Sequence, residues 1–142
     1  MNTDNGLLLD ASAITSYILN EEGSEQIRTV MRRSISEGGR ITTLPLAFKE
    51  VANALWKACV QRKLVDKDTI VGTLNDLYTL PLELAEQDKD LLQRAMRMSL
   101  DSKLPVYDTL YIAVAEQEHS TLVTTDRKQY AIAVQHVRAK LM

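Results

Sequence analysis

Leu7-Leu8-Leu9-Asp10-Ala11-Ser12 joins three consecutive apolar residues to an acid and then to a helical pattern. A short, uniformly apolar run reads as a strand buried on both faces, which is the mark of a parallel sheet covered by helices. Leu122-Val123-Thr124-Thr125-Asp126 has the same shape near the other end of the chain. Two such strands, each ending on an aspartate, set the fold class as α/β.

The segment between them alternates in the same way. A helix starts near Ser12, with Ile14, Tyr17 and Ile18 at helical spacing. A second covers residues 22–37, carried by Ile27, Val30, Met31 and Ile35, and Gly38-Gly39 stops it. A short strand over 40–43 leads to Pro45, which opens a long helix to about Lys63. The next helix covers 67–78, with Ile70, Val71, Leu74, Leu77 and Tyr78 on one side. Residues 80–84 read as a strand and 88–100 as a helix with Leu91, Leu92, Ala95 and Met96 facing inward. A helix follows Pro105 to about Glu118, then the strand 121–124, a helix from about Arg127 and a final strand within 137–142. Open parallel sheets bind ligands beyond the carboxyl ends of their strands. Asp10 and Asp126 both occupy such ends.

At 142 residues the chain is the size of one domain, residues 1–142, and its hydrophobic (45%) and charged (25%) fractions are those of a globular protein. No apolar run approaches membrane-spanning length, and the polar residues 1–6 give no expectation of a secretory signal. Cys59 is the one cysteine, so no intrachain disulfide forms and a cytoplasmic location is expected. Alongside Phe48, Val51 and Leu55 it reads as a buried structural thiol. His119 and His136 fit no metal-ligand spacing and read as surface residues near element ends. A net charge of −2 excludes holding nucleic acid by bulk electrostatics, though not a nuclease with a local basic surface. Arg28, Arg32, Arg33 and Arg40 form one candidate group; Arg62 with Lys63 and Arg127 with Lys128 are others, each equally readable as a solvated helix face.

Two further acids stand out. On a helical wheel Asp108 lies among Tyr111, Ile112 and Ala115, inside the apolar arc of its helix, where a bare charge is costly. Glu50 lies off the buried stripe of its helix and by itself reads as surface charge, although small Ala47 and Ala54 leave room for it beside a shallow cleft. Asp10 and Asp126 are also suited to capping the helices that follow them, and Thr124 or Thr125 is placed to hydrogen-bond and orient Asp126. Carboxylates about 4 Å apart repel by roughly 4 kcal/mol at an effective dielectric near 20. A group of three or four raises its own pKa values or collects a divalent cation, and oxygen-only donors favour Mg²⁺ or Mn²⁺ over Zn²⁺.

The four segments together resemble a PIN domain, with the likeness strongest to VapC-type ribonuclease toxins. Those segments are Leu7 to Ser12, Glu50-Val51-Ala52-Asn53-Ala54-Leu55, Tyr107-Asp108-Thr109-Leu110-Tyr111-Ile112-Ala113-Val114-Ala115 and Leu122 to Asp126. The resemblance implies an α/β/α sandwich around a mainly parallel sheet of four or five strands, and cleavage of single-stranded or structured RNA with Mg²⁺ or Mn²⁺. It implies an acidic quartet of Asp10, Glu50, Asp108 and Asp126, with Asp10 and Asp108 as direct metal ligands. Glu50 and Asp126 would bind the metal directly or through water and position the attacking water. Thr125 and Ser12 would be polar supports of the site, and Asn53 would orient Glu50 or touch substrate. Some relatives carry a further acid two positions after the last aspartate, where this chain has Lys128. A homodimer and a VapB-type antitoxin partner are also implied. Two other readings share the strand-end acids: a silent PIN-like module that binds RNA or protein, and an aspartyl-phosphate enzyme. The second lacks an Asp-x-Asp motif at Asp10.

Overall fold

The computed structural model describes residues 6–63 and 66–142. Of the polar start of the chain only Gly6 is among them. The elements follow in the order β1 (Leu7–Leu9), α1 (Ala11–Ile18), α2 (Ser24–Ser36), β2 (Ile41–Thr43), α3 (Pro45–Val60) and α4 (Lys67–Leu77). Then come β3 (Glu83–Leu84), α5 (Lys89–Ser102), α6 (Val106–Glu118), β4 (Thr121–Thr124), α7 (Arg127–Ala133) and β5 (Ala139–Leu141).

All five strands are parallel, in the order β3-β2-β1-β4-β5. The two expected to be doubly buried, β1 and β4, are the central pair, and every residue in them is buried. They pair with Leu7 opposite Thr121 and Leu9 opposite Val123, so Asp10 and Thr124 come level at the strand ends. From β1 the chain builds outward through β2 and β3, then crosses back to place β4 and β5 on the other side. The reversal opens a crevice between β1 and β4 at their carboxyl ends.

The helices pack in two groups, α1 to α4 and α5 to α7. Local chemistry sets their ends: the carboxylates of Asp66 and Asp88 accept from Thr69 N and Leu91 N as caps of α4 and α5. Gly38, at φ 80°, closes α2 in the left-handed conformation that glycine adopts without strain. On α6 every residue from Thr109 to Ala115 is buried, which makes it the central helix of its group. Thr109 supports that packing by donating to Ala95 O at 2.9 Å, with Ser99 Oγ at 2.6 Å.

Several expected core positions are displaced by part of a turn. Ala58, not Cys59, completes the buried row Ala47-Val51-Leu55 of α3, and Cys59 is half-buried. On α5 the buried row is Leu91-Ala95-Ser99, whereas Leu92 and Met96 are 47% and 45% exposed. Val71 and Tyr78 are exposed, with Tyr78 stacked on Phe48 at 5.0 Å, and Ile35 is also exposed. These helices carry apolar residues on more than one side, so hydrophobicity alone does not fix which side turns inward. His119 and His136 are exposed and lie near element ends. Among the described residues no helix is long and apolar enough to cross a membrane.

Candidate active site

Asp10 leaves β1 and enters the crevice at once. Its Oδ1 accepts from Ala13 N at 2.9 Å, capping α1, and from Ser12 Oγ at 2.7 Å. Its Oδ2 accepts from Thr124 Oγ1 at 2.7 Å across the strand pair. Capping and a place in the site are therefore compatible. Burial pushes the Asp10 carboxyl up to about 6; the hydrogen bonds from Ala13, Ser12 and Thr124 oppose this, and the charge of Asp126 adds to it.

Thr124 couples the two strand ends. Fully buried, it donates to Asp10 and accepts from Asp126 N at 3.0 Å. Ser12 closes the network by accepting from Thr125 N at 3.0 Å. Thr125 thus contributes its backbone N–H and lines the adjoining groove, while the hydroxyl that holds Asp10 belongs to Thr124. Asp126 caps α7 through Oδ1, accepting from Lys128 N at 2.9 Å and Gln129 N at 3.2 Å. The Lys128 residue itself is exposed.

Asp108 sits in the first turn of α6 beside the buried Tyr111, Ile112 and Ala115, as the wheel suggests, but is itself only half-buried because it lies at the helix start. Among the described residues no group donates to the Asp108 carboxylate. Burial pushes it up to about 6, helped by the charges of Asp126 and then Glu50. Gln129, fully buried on α7, donates its side-chain amide to Asp108 O at 3.1 Å and ties the starts of α6 and α7 together.

Glu50 reaches the crevice from α3. Its Oε1 accepts from the Tyr111 hydroxyl at 2.7 Å. Burial, together with the charge and hydrogen bond of Glu50, drives the Tyr111 phenol far above its ordinary pKa, so it stays a donor. Sequence reasoning placed Tyr111 in the core and missed this role. The signal was faint: a phenol three residues after Asp108 puts its hydroxyl near the same helix end. Gln129 was missed as a positioning group because its partner is remote in sequence. Thr124 supports Asp126 as its place two residues before suggests, but its bond to Asp10 spans 114 residues and was not foreseen.

The structure therefore gathers all four acids at one crevice, near enough that their charges act on one another. Among the described residues no Lys or Arg forms an ion pair with any of them. An open groove of about 540 Å³ adjoins, lined by Ser12, Lys49, Glu50, Asn53, Lys57 and Thr125 among others. Asn53 faces this groove with no bond to Glu50. The donor set fits a hard divalent cation in kind: oxygen atoms only, with the Asp108 carboxylate unclaimed and excess negative charge to offset. Among the described residues, however, no three His, Cys, Asp or Glu side chains are already drawn around one point. The fit rests on donor chemistry and charge.

Comparison with known proteins agrees with this geometry. Ribonuclease VapC3 of Pyrobaculum aerophilum is 36% identical over 123 residues, which span 86% of this chain and 90% of that protein. Solved structures share the fold: PAE2754 of Pyrobaculum aerophilum superposes with a TM-score of 0.66 at 24% identity, over 94% of this chain and 88% of that one. A chain of VapBC2 from Rickettsia felis, solved bound to a promoter DNA fragment, gives 0.68 at 13% identity, over 96% and 98%. The PIN domain model matches residues 7–135, from the start of β1 to just beyond α7. With the strand-end acids, the five-stranded parallel sheet and this match across nearly the whole chain, the protein belongs to the PIN domain family.

Proposed function

We propose that this protein is a metal-dependent endoribonuclease, the toxin of a VapBC-type pair, and that Asp10, Glu50, Asp108 and Asp126 are its acidic site. The observation that carries the reading is the convergence of these four carboxylates at the switch-point crevice with no cationic side chain among them. A relative named as a ribonuclease and similar over most of the chain supports the same activity. Mg²⁺ or Mn²⁺, when bound, supplies Lewis-acid polarisation of a phosphoryl oxygen and a more acidic water.

The chain's own residues divide the work. Asp10, fixed by Ser12, Ala13 and Thr124, and Asp108, free of donors, would hold the cation. Glu50, oriented by the Tyr111 hydroxyl, would position the attacking water and accept its proton. Asp126, fixed by the first turn of α7, would complete the charge. Asp10→Asn and Asp108→Asn are expected to abolish cleavage of RNA while leaving the circular dichroism spectrum unchanged; undiminished cleavage by both variants would sink the proposal.

Our reading includes a cytoplasmic protein, a VapB-type antitoxin covering the crevice, and a homodimer. The exposed apolar row Leu92, Met96 and Leu100 on α5 supports self-association. A second reading, a PIN-like module that binds RNA or protein without cutting, is favoured by one observation: the acids are not drawn around a single point. Calorimetry decides between them, because the silent module binds RNA but takes up no Mn²⁺.

A further inference from the structure

None of the basic residues singled out in the sequence lines the groove beside the acids, although Arg62 reaches its edge in an ion pair with Glu21, which does line it. Arg28 pairs with Glu25 and Arg40 with Glu83, while Arg33 lines a different depression with Leu7 and Lys140. The cations that do line the groove are Lys49 and Lys57. With Asn53 they occupy positions i, i+4 and i+8 of α3, all exposed. Successive members are thus about 6 Å apart along the helix, and the two lysines about 12 Å. Among the described residues neither lysine pairs with an acid. Glu50 projects from the same flank of α3 between them, and a second depression beside Pro45 and Glu86 meets the groove at Lys49.

We infer that Lys49 and Lys57 bind phosphates of a single-stranded RNA laid along α3, with Asn53 contacting a base or ribose between them. This rests on the ribonuclease reading and names how its substrate is held. The floor of the site is acidic, so an anionic backbone approaches only where cations flank that floor. A protein of net charge −2 with two cations at its groove has no broad basic face for a duplex. The spacing suits a strand of few contacts, read mainly through its backbone, with the Asn53 amide able to donate and accept.

The test is binding of a short, labelled, mixed-sequence single-stranded RNA to the full chain in EDTA, followed by anisotropy across a salt series. Each of Lys49→Gln and Lys57→Gln is expected to weaken binding and to lower the slope of log K against log salt by about 0.7, the single-strand value per phosphate contact. Lys140→Gln, in the separate depression beside Leu7, should leave the slope unchanged. With Mn²⁺ present, the two groove variants should raise KM far more than they lower kcat, and duplex RNA should bind more weakly than single strands. If wild type binds and cuts RNA while both groove variants keep its slope and KM, the inference fails and the ribonuclease reading stands. An equal loss in Lys140→Gln, or tighter binding of duplex, also overturns it. A wild type that neither binds nor cuts any RNA removes the ribonuclease reading itself.

Discussion

At the scale of residues, Asp10 has two roles that conflict in the protein alone. It caps α1 and joins β1 to β4, yet burial and Asp126 raise its pKa to about 6. A carboxyl raised above its unfolded value of about 3.9 favours the native state when protonated and penalises it when ionised. The penalty begins as pH rises past about 4 and is complete above about 6. Without divalent ions, Asp10→Asn should therefore stabilise the protein by about 1–3 kcal/mol near pH 7.5, since asparagine still caps the helix. The gain should shrink towards about pH 5; urea denaturation in EDTA at both pH values measures it, and lower stability of the variant at both would contradict the account. Tyr111→Phe keeps the buried ring and removes the donor to Glu50. It should cost little stability and lower RNA cleavage by about tenfold, the low end for groups that orient metal-site ligands. Single-turnover rates at saturating Mn²⁺ check this. Asp10 and Asp126 were legible in the sequence because a strand-end acid is a local pattern. Glu50 was legible only through the family pattern, because its partner Tyr111 lies 61 residues away and only the tertiary fold joins them.

At the scale of elements, the order and kind of helices and strands followed from apolar runs, glycines and prolines, but their facing did not. A helix such as α3 offers apolar residues on both Ala58 and Cys59, and packing chose the smaller. Ala58→Leu should destabilise the fold by about 1–3 kcal/mol through overpacking, whereas Cys59→Ser should change stability by less than about 1 kcal/mol. Chemical denaturation of the two variants separates them, and a larger loss for Cys59→Ser would reverse the assignment of α3's buried side. Similarly, Leu92 and Met96 of the exposed row on α5 match a core pattern because they flank the true inward residues, Leu91 and Ala95. If that row joins two copies, Met96→Lys should shift the protein to a monomer in sedimentation without altering its fold.

At the scale of the whole molecule, one topological fact organises the rest. The chain builds outward from β1, then crosses to β4, and the reversal brings together acids from opposite ends of the sequence. The α3 and α6 helices carry Glu50 and Asp108 to the same opening, and α3 also brings Lys49 and Lys57 to its rim. The most direct test is cleavage of a mixed RNA panel by the wild-type protein in Mn²⁺, in EDTA, and in EDTA followed by excess Mn²⁺. The account predicts cutting in the first, none in the second and recovery in the third. Equal cleavage with and without EDTA would contradict it.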